Sequence, residues 1–327
     1  LNAFDGPFQR IPYGELQTPV GKIDAAAPAG YTLSSRANNS FIAVNDLLGA
    51  GIPVFRLPQG SGSSEAGAFY VPASPKAKSL LEKSAKELGI EALGVAKKPM
   101  GTMTKVAPMR IALWDTYGGS MPSGWVRLLM EQYHFPMEVI YSQAIDEGSL
   151  RKKYDVIIFV TRAIPAVGIG RPEGEYGGFV REPKVEEIPD NFRPSLGRIT
   201  ANKSIPQIKK FLEEGGKVVT IGSSANLAYH LGLPVRNALT EMTNTGTERP
   251  LPAEKYYIPG SILRVTLDST QTATWGMASQ TDVYFDSSPV FRLAPDAIAK
   301  GQVKPLVWFS TNKPLRSGSG LFRLRED

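Results

Sequence analysis

The segment Val218-Val-Thr-Ile-Gly-Ser-Ser-Ala-Asn-Leu-Ala228 carries the strongest chemical suggestion in the sequence. An apolar strand that ends in Gly222-Ser223-Ser224-Ala225-Asn226 and runs straight into a helix has the layout of a nucleophile elbow. Such a turn exposes the side chain at its apex and aims a helix N-terminus at whatever binds there. Ser224 is the one candidate nucleophile. A serine in that role needs a base, and the base needs a carboxylate to orient it. The sequence holds two histidines, His134 and His230, and no cysteine. His230 follows Ser224 on the same expected helix, where it cannot bend back to the hydroxyl, and no histidine lies beyond it. The preferred reading is that Ser223 and Ser224 cap a helix, at a cost of about 1–2 kcal/mol if the cap is lost.

A second constellation begins where another strand ends, at Trp114-Asp115-Thr116, followed by the Gly-rich run Tyr117-Gly-Gly-Ser-Met-Pro122. Ligand sites in open α/β sheets gather at the carboxyl ends of the strands. Asp115, Tyr117, Ser120 and Arg162 would share that edge with Ser223, Ser224 and Asn226. A structural turn is preferred over a pocket for a small molecule or peptide, and both remain open. No Gly-Lys-Ser/Thr follows, so a phosphate loop does not fit. His134-Phe-Pro-Met-Glu138 is one residue too long for a His-x-x-Glu zinc motif, and Pro136 interrupts it. Two histidines without cysteine leave too few zinc ligands, so neither a metal nor another cofactor is expected.

The elements that must position these residues follow from periodicity. The chain has 327 residues, 42% hydrophobic and 21% charged, which is ordinary for a globular protein. No stretch approaches the roughly 18 apolar residues of a membrane span. The net charge of +6 is concentrated in Lys76, Lys78, Lys83, Lys86, Lys97, Lys98 and Lys105. Within a helix these alternate with Glu82 and Glu87, the pattern of a solvated face rather than a nucleic-acid surface. Residues 1–30 read as an extended N-terminal segment without a signal-peptide pattern, continuing a longer gene product and laid over another domain. Residues 31–105 read as a small α/β unit, with helices from Ser40 and from Ser74-Pro75, and a linker near 97–107. Residues 106–327 read as a larger α/β domain. Its strands are expected at 110–114, 137–141, 156–160, 217–221, 262–267, 283–285 and 306–309. Between them fall a helix capped by Ser123 with an apolar face of Trp125, Leu128, Leu129 and Tyr133, and one opened by a Ser204-Ile-Pro-Gln207 capping box. Residues 163–202 read as a mobile Pro/Gly-rich insertion. The alternation implies a mostly parallel sheet flanked by helices.

The run Met109-Arg-Ile-Ala-Leu-Trp-Asp-Thr-Tyr-Gly-Gly-Ser-Met-Pro-Ser-Gly-Trp125, continuing to Pro136, resembles a segment of large bacterial zinc-carboxypeptidase-like proteins. In these a class I glutamine-amidotransferase-like region follows the peptidase domain. Asn39–Leu48, Leu150–Ile158, Glu175–Gly178 and Gly222–Pro234 share the resemblance, which covers residues 31 to about 316. It implies a flavodoxin-like layering, a secreted or periplasmic parent metallopeptidase, and a peptidase domain of that parent as partner. Ser224 stands where class I amidotransferases carry the cysteine of Gly-x-Cys-x-Gly, with Asn226 in place of the second glycine. Their His-x-Glu near the domain end is absent.

The function expected on these grounds is that of a non-catalytic accessory region, binding or scaffolding, of a zinc-carboxypeptidase-like protein. The alternative is a serine-dependent hydrolase or amidotransferase-like enzyme acting through Ser224. A third reading, a carbohydrate- or peptide-binding domain, would draw on Trp114, Tyr117 and Trp125, although such aromatics more often belong to a core.

Overall fold

The computed structural model describes residues 11–15, 19–58, 65–167, 183–246, 248–286, 288–318 and 320–322. The chain divides into two compact units, residues 1–106 and 107–327.

The first unit is built on a six-stranded sheet. Its strands are β1 (Lys22–Ile23), β2 (Gly30–Leu33), β3 (Val54–Arg56), β4 (Phe69–Pro72), β5 (Glu91–Val95) and β6 (Thr104–Val106), in the order β1-β5-β2-β4-β3-β6. Only β1 and β5 run parallel; the other pairings are antiparallel. One stretch expected to lie outside this unit belongs to it, and the stretch read as a linker ends in a strand of it. β1 comes from the segment read as a separate extended arm, and β6 from the stretch read as a linker. Helices α1 (Asn39–Gly49) and α2 (Pro75–Leu88) bury Val44, Leu47, Ala77 and Leu81 over Tyr31, Leu33, Val54 and Val71. The Ser74 side chain caps α2 by accepting from Ala77 N at 3.1 Å, and Gly89 closes it in the left-handed conformation. The helix expected from a Ser40 cap instead starts at Asn39, with Ser40 buried.

The second unit opens with a parallel sheet flanked by helices. β7 (Ile111–Trp114), β8 (Met137–Ile140), β9 (Val156–Phe159) and β10 (Lys217–Thr220) lie in the order β10-β9-β7-β8, all parallel. The two central strands, β7 and β9, bury Ala112, Leu113, Trp114, Ile157, Ile158 and Phe159, as a sheet covered on both faces requires. The crossovers are α3 (Met121–Gln132), the pair α4 (Ser142–Asp146) and α5 (Leu150–Lys153), and α6 (Ser204–Glu213). α4, α5 and α6 pack on one another. The handedness of parallel crossovers sets α3 alone on the other face.

Three local expectations change here. α3 is capped by Ser120, which accepts from Ser123 N at 3.3 Å, so the helix begins ahead of the expected Ser123. Ser123, Val126 and Met130 turn inward, while Trp125, Leu128 and Leu129 are exposed rather than core. Ser204 forms no capping box. Its hydroxyl accepts from Thr200 N at 2.9 Å and donates to Asp146 at 2.6 Å, pinning α6 to α4. Of the supposed mobile insertion, residues 168–182 lie outside the described residues. The stretch 183–202 is packed: Ile188, Leu196 and Ile199 are buried, and Gln143 holds the carbonyls of Arg193 and Leu196.

After α7 (Leu227–His230) the pairing becomes antiparallel, contrary to a parallel reading of the later strands. The strands are β11 (Val235–Asn237), β12 (Thr240–Met242), β13 (Glu248–Pro250), β14 (Tyr256–Tyr257), β15 (Ser261–Leu267), β16 (Gln280–Phe285), β17 (Phe291–Leu293), β18 (Val307–Trp308), β19 (Leu315–Ser317) and β20 (Leu321–Phe322). β15 is the hub, pairing with β16 on one side and with β18 and β19 on the other. The pattern of β15, alternating buried and half-exposed residue by residue, is that of a sheet covered on one face only, whereas parallel strands covered on both faces are apolar throughout.

Two polar ties hold the parallel sheet at its base. The Asp155 carboxylate takes Arg110 through Oδ2 at 3.0 Å and Oδ1 at 2.9 Å, together with Arg151 at 2.5 Å. Arg110 also donates to the last carbonyls of α5. Hydrogen bonds from Arg110 hold Asp155 well below the usual carboxylate range. Stability from this tie is therefore present above about pH 4 and lost as the pH falls below it. Asp155→Asn should lower Tm by a few degrees at neutral pH and flatten the acid side of a Tm–pH profile.

The second tie is the Tyr154 hydroxyl, which is buried and bonded to the Glu138 carboxylate, so its pKa rises to about 12. The folded state holds this proton more tightly than the unfolded chain, so its contribution is complete below about pH 10. It falls away as the pH rises toward 12. Ultraviolet titration of Tyr154→Phe, compared with the unsubstituted chain, should lack one tyrosine that ionises at about pH 12.

Candidate functional site

Parallel strands end together, so the turns leaving β7, β9 and β10 share one edge of the sheet. All the residues singled out for binding lie on these turns, in two groups. The first is the turn after β7. Asp115 Oδ1 accepts from Thr116 N at 2.8 Å and from Ser120 N at 2.9 Å, and Ser120 passes the chain into α3. Tyr117 is half-buried between them. The carboxylate is occupied in closing its own turn, as expected of a structural Asx device.

The second group joins the exits of β9 and β10. Arg162 adopts a positive φ of 72°, which turns the backbone N–H groups of residues 162–164 toward β10. Ser223 Oγ accepts from Arg162 N at 2.9 Å. Ser224 Oγ accepts from Ala163 N at 3.0 Å and Ile164 N at 3.1 Å, and donates to the Val160 carbonyl. A hydroxyl has one proton and two lone pairs, so Ser224 is saturated. It is 0% exposed. The serines do not cap the helix that follows, because the 3₁₀ turn Gly222–Asn226 has no side-chain cap. They clamp a neighbouring strand exit instead. Gly222 permits the close approach: its φ is +58°, and a Cβ there would collide with Thr161 Oγ1. Asn226 is half-buried at the end of the same turn.

The geometry gives Ser224 no means of attack. Its proton is held by a backbone carbonyl, its lone pairs by two amides, and solvent does not reach it. His230 Nε2 lies 2.9 Å from the Pro165 carbonyl, so that ring nitrogen is the donor and secures the same segment. His134 ends α3 at a φ of 55° and is exposed, while Glu138 is taken by Tyr154. Among the described residues no three His, Asp or Glu side chains gather as metal ligands. No helix among them is long and apolar enough to cross a membrane. What the edge offers a ligand is the exposed Arg162 guanidinium, which has no ion pair among the described residues.

Sequence reasoning missed the Arg110–Asp155–Arg151 tie and the Tyr154–Glu138 bond. An acid directly before an apolar strand, as in Tyr154-Asp155-Val156, was the available signal for the first.

The clamp predicts a larger cost than a helix cap would. Ser224→Ala leaves Ile164 N without its acceptor and weakens Ala163 N, which retains Val160 O at 3.1 Å. A loss of roughly 2–4 kcal/mol is expected in urea unfolding. The exposed Ser223→Ala should cost about 1 kcal/mol or less. Equal, small losses for both would show that the clamp carries no stability.

Comparison of the chain with protein-family models, with curated proteins and with solved structures finds no match.

Proposed function

We propose that this chain is a non-catalytic accessory region, binding or scaffolding, of a zinc-carboxypeptidase-like protein. Its parallel sheet would be the core of a flavodoxin-like, class I amidotransferase-like layer. The observation that carries the reading is the saturated, buried Ser224 hydroxyl: the place where such enzymes keep their nucleophile is occupied here by a structural clamp. The strand order β8-β7-β9-β10 supports the layering, since second-first-third-fourth is how a 2-1-3-4-5 sheet begins.

A partner domain also gives a reason for the outer side of α3. Met121 is 78% and Trp125 62% exposed, with Leu128 and Leu129 beside them. Val126 and Met130 already fill the inner side. A helix apolar on both sides is the kind that a second layer covers. The peptidase domain of the parent is the partner proposed for it.

The alternative, a serine hydrolase working through Ser224, makes the opposite forecast for a fluorophosphonate probe. The chain should remain unlabelled at Ser224 after prolonged incubation at neutral pH, conditions under which an activated serine is modified. Labelling at Ser224, located by peptide mass mapping and abolished in Ser224→Ala, would overturn the non-catalytic reading.

A further inference from the structure

Among the described residues, the antiparallel sheet around β15 has one covered face and one open face, and register assigns each residue to its side. Leu263, Val265 and Leu267 are buried, and Leu263 and Phe285 pack in one cluster with Val283 and Phe309. The intervening residues, Ile262, Arg264 and Thr266, therefore point the other way. Their cross-strand partners Tyr284, Asp282 and Gln280 on β16, and Trp308 on β18, share that outer face. Ser310, two residues beyond Trp308, shares it too, accepting from Thr266 Oγ1 at 2.8 Å.

This face is polar in the middle and aromatic at two opposite corners. Arg264 grips Asp282 through both carboxylate oxygens, the Nη2–Oδ2 contact being 3.0 Å. Arg316 stands 3.9 Å from the same carboxylate and is left mostly in solvent. Tyr284 is 69% exposed although its hydroxyl end is seated: a Cβ at Gly260 would lie 2.6 Å from that oxygen. The glycine lets the ring rest over the start of β15. Trp308 is 39% exposed. Four residues along the strands and two strand spacings across separate the two aromatics, about 17 Å.

We propose that this open face binds a carboxylate-bearing polysaccharide, with Tyr284 and Trp308 stacking on pyranose rings and Arg316 holding a uronate carboxylate. The negative face of an aromatic ring attracts the C–H face of a pyranose, and a seated ring loses little entropy on binding. The central Arg264–Asp282 pair is tied in a fixed geometry and presents polar edges to sugar hydroxyls. Arg316 gives this face one cation in excess, and a guanidinium fits a carboxylate in two parallel bonds. The separation of the rings suits an oligosaccharide rather than one sugar. A peptide adding a strand would pair with backbone along an edge, whereas these side chains stand on the broad face of the sheet. A nucleic acid would require many phosphate-neutralising cations, and one excess charge does not supply them.

Native affinity electrophoresis of the full 327-residue chain tests this, with polygalacturonate, laminarin or poly(U) cast in the gel. Polygalacturonate should retard the chain, with affinity about tenfold or more weaker in Tyr284→Ala and in Trp308→Ala. Arg316→Gln should also weaken it, and Trp125→Ala, an exposed aromatic elsewhere, should not. Absence of retardation by polygalacturonate, or retardation indifferent to Tyr284 and Trp308, would sink the proposal. Equal retardation by neutral laminarin that ignores Arg316→Gln would remove the carboxylate from it. Retardation by poly(U) that vanishes with the same two aromatics would reassign the face to single-stranded nucleic acid.

Discussion

The second unit turns on a problem of backbone chemistry at the exit of β9. A strand buried on both faces must release its chain at the sheet edge, and there the amides of residues 162–164 lose their ladder partners. Buried amides without acceptors would cost more than most single side-chain contacts contribute. Two hydroxyls from the neighbouring exit meet the need: Ser223 takes the amide of the exposed Arg162, and Ser224 takes Ile164 N and shares Ala163 N with the Val160 carbonyl. The arrangement is possible because Gly222 brings β10 close and Arg162 accepts a left-handed backbone. His230, one helical turn further on, fixes Pro165 in the same stretch. The chain then departs toward 183–202 and returns to α6 already anchored.

That solution has a chemical consequence. The hydroxyl best placed for nucleophilic work is the one with no capacity to spare, since structural saturation and nucleophilic readiness compete for the same lone pairs. The Asp115 turn repeats the theme, its carboxylate spent on two amides of its own loop. At the base of the sheet, Asp155 and Tyr154 are likewise committed to neighbours. The polar groups around the parallel sheet serve to close it.

The strands were legible from the sequence because unbroken apolar runs such as Val156–Val160 have few alternatives to a doubly covered strand. Ser74-Pro75 and Gly89 announced α2 through capping chemistry that acts within one turn. Features depending on distant partners were not legible. Ser204 looked like a helix cap and is a tie to Asp146; Ser224 looked like a cap and is a clamp on residues 160–164. A hydroxyl's local sequence says what it could bond, while the fold decides what reaches it first. Trp125, Leu128 and Leu129 were assigned inward because apolar residues usually are. α3 packs on the sheet through Ser123, Val126 and Met130, which leaves the other three on its outer side. The antiparallel half was not legible for another reason. Its strands alternate with period two, as in Gln280-Thr-Asp-Val-Tyr-Phe285, and that alternation speaks for an open face rather than for a parallel layer.

The two halves of the unit thus treat polar residues in opposite ways. In the parallel half, hydroxyls and carboxylates are drawn into backbone repair, and Ser224 is withdrawn from solvent altogether. In the antiparallel half, Arg264 and Asp282 satisfy each other, while Arg316, 3.9 Å from the same carboxylate, and the faces of Tyr284 and Trp308 keep surface turned to solvent. Recognition needs groups whose bonding capacity is still available and whose positions are already fixed. The edge of the parallel sheet meets the second condition and, Arg162 apart, fails the first. The outer face of β15 and β16 meets both, because the Arg264–Asp282 pair and the seat at Gly260 hold its side chains without consuming their outward surfaces.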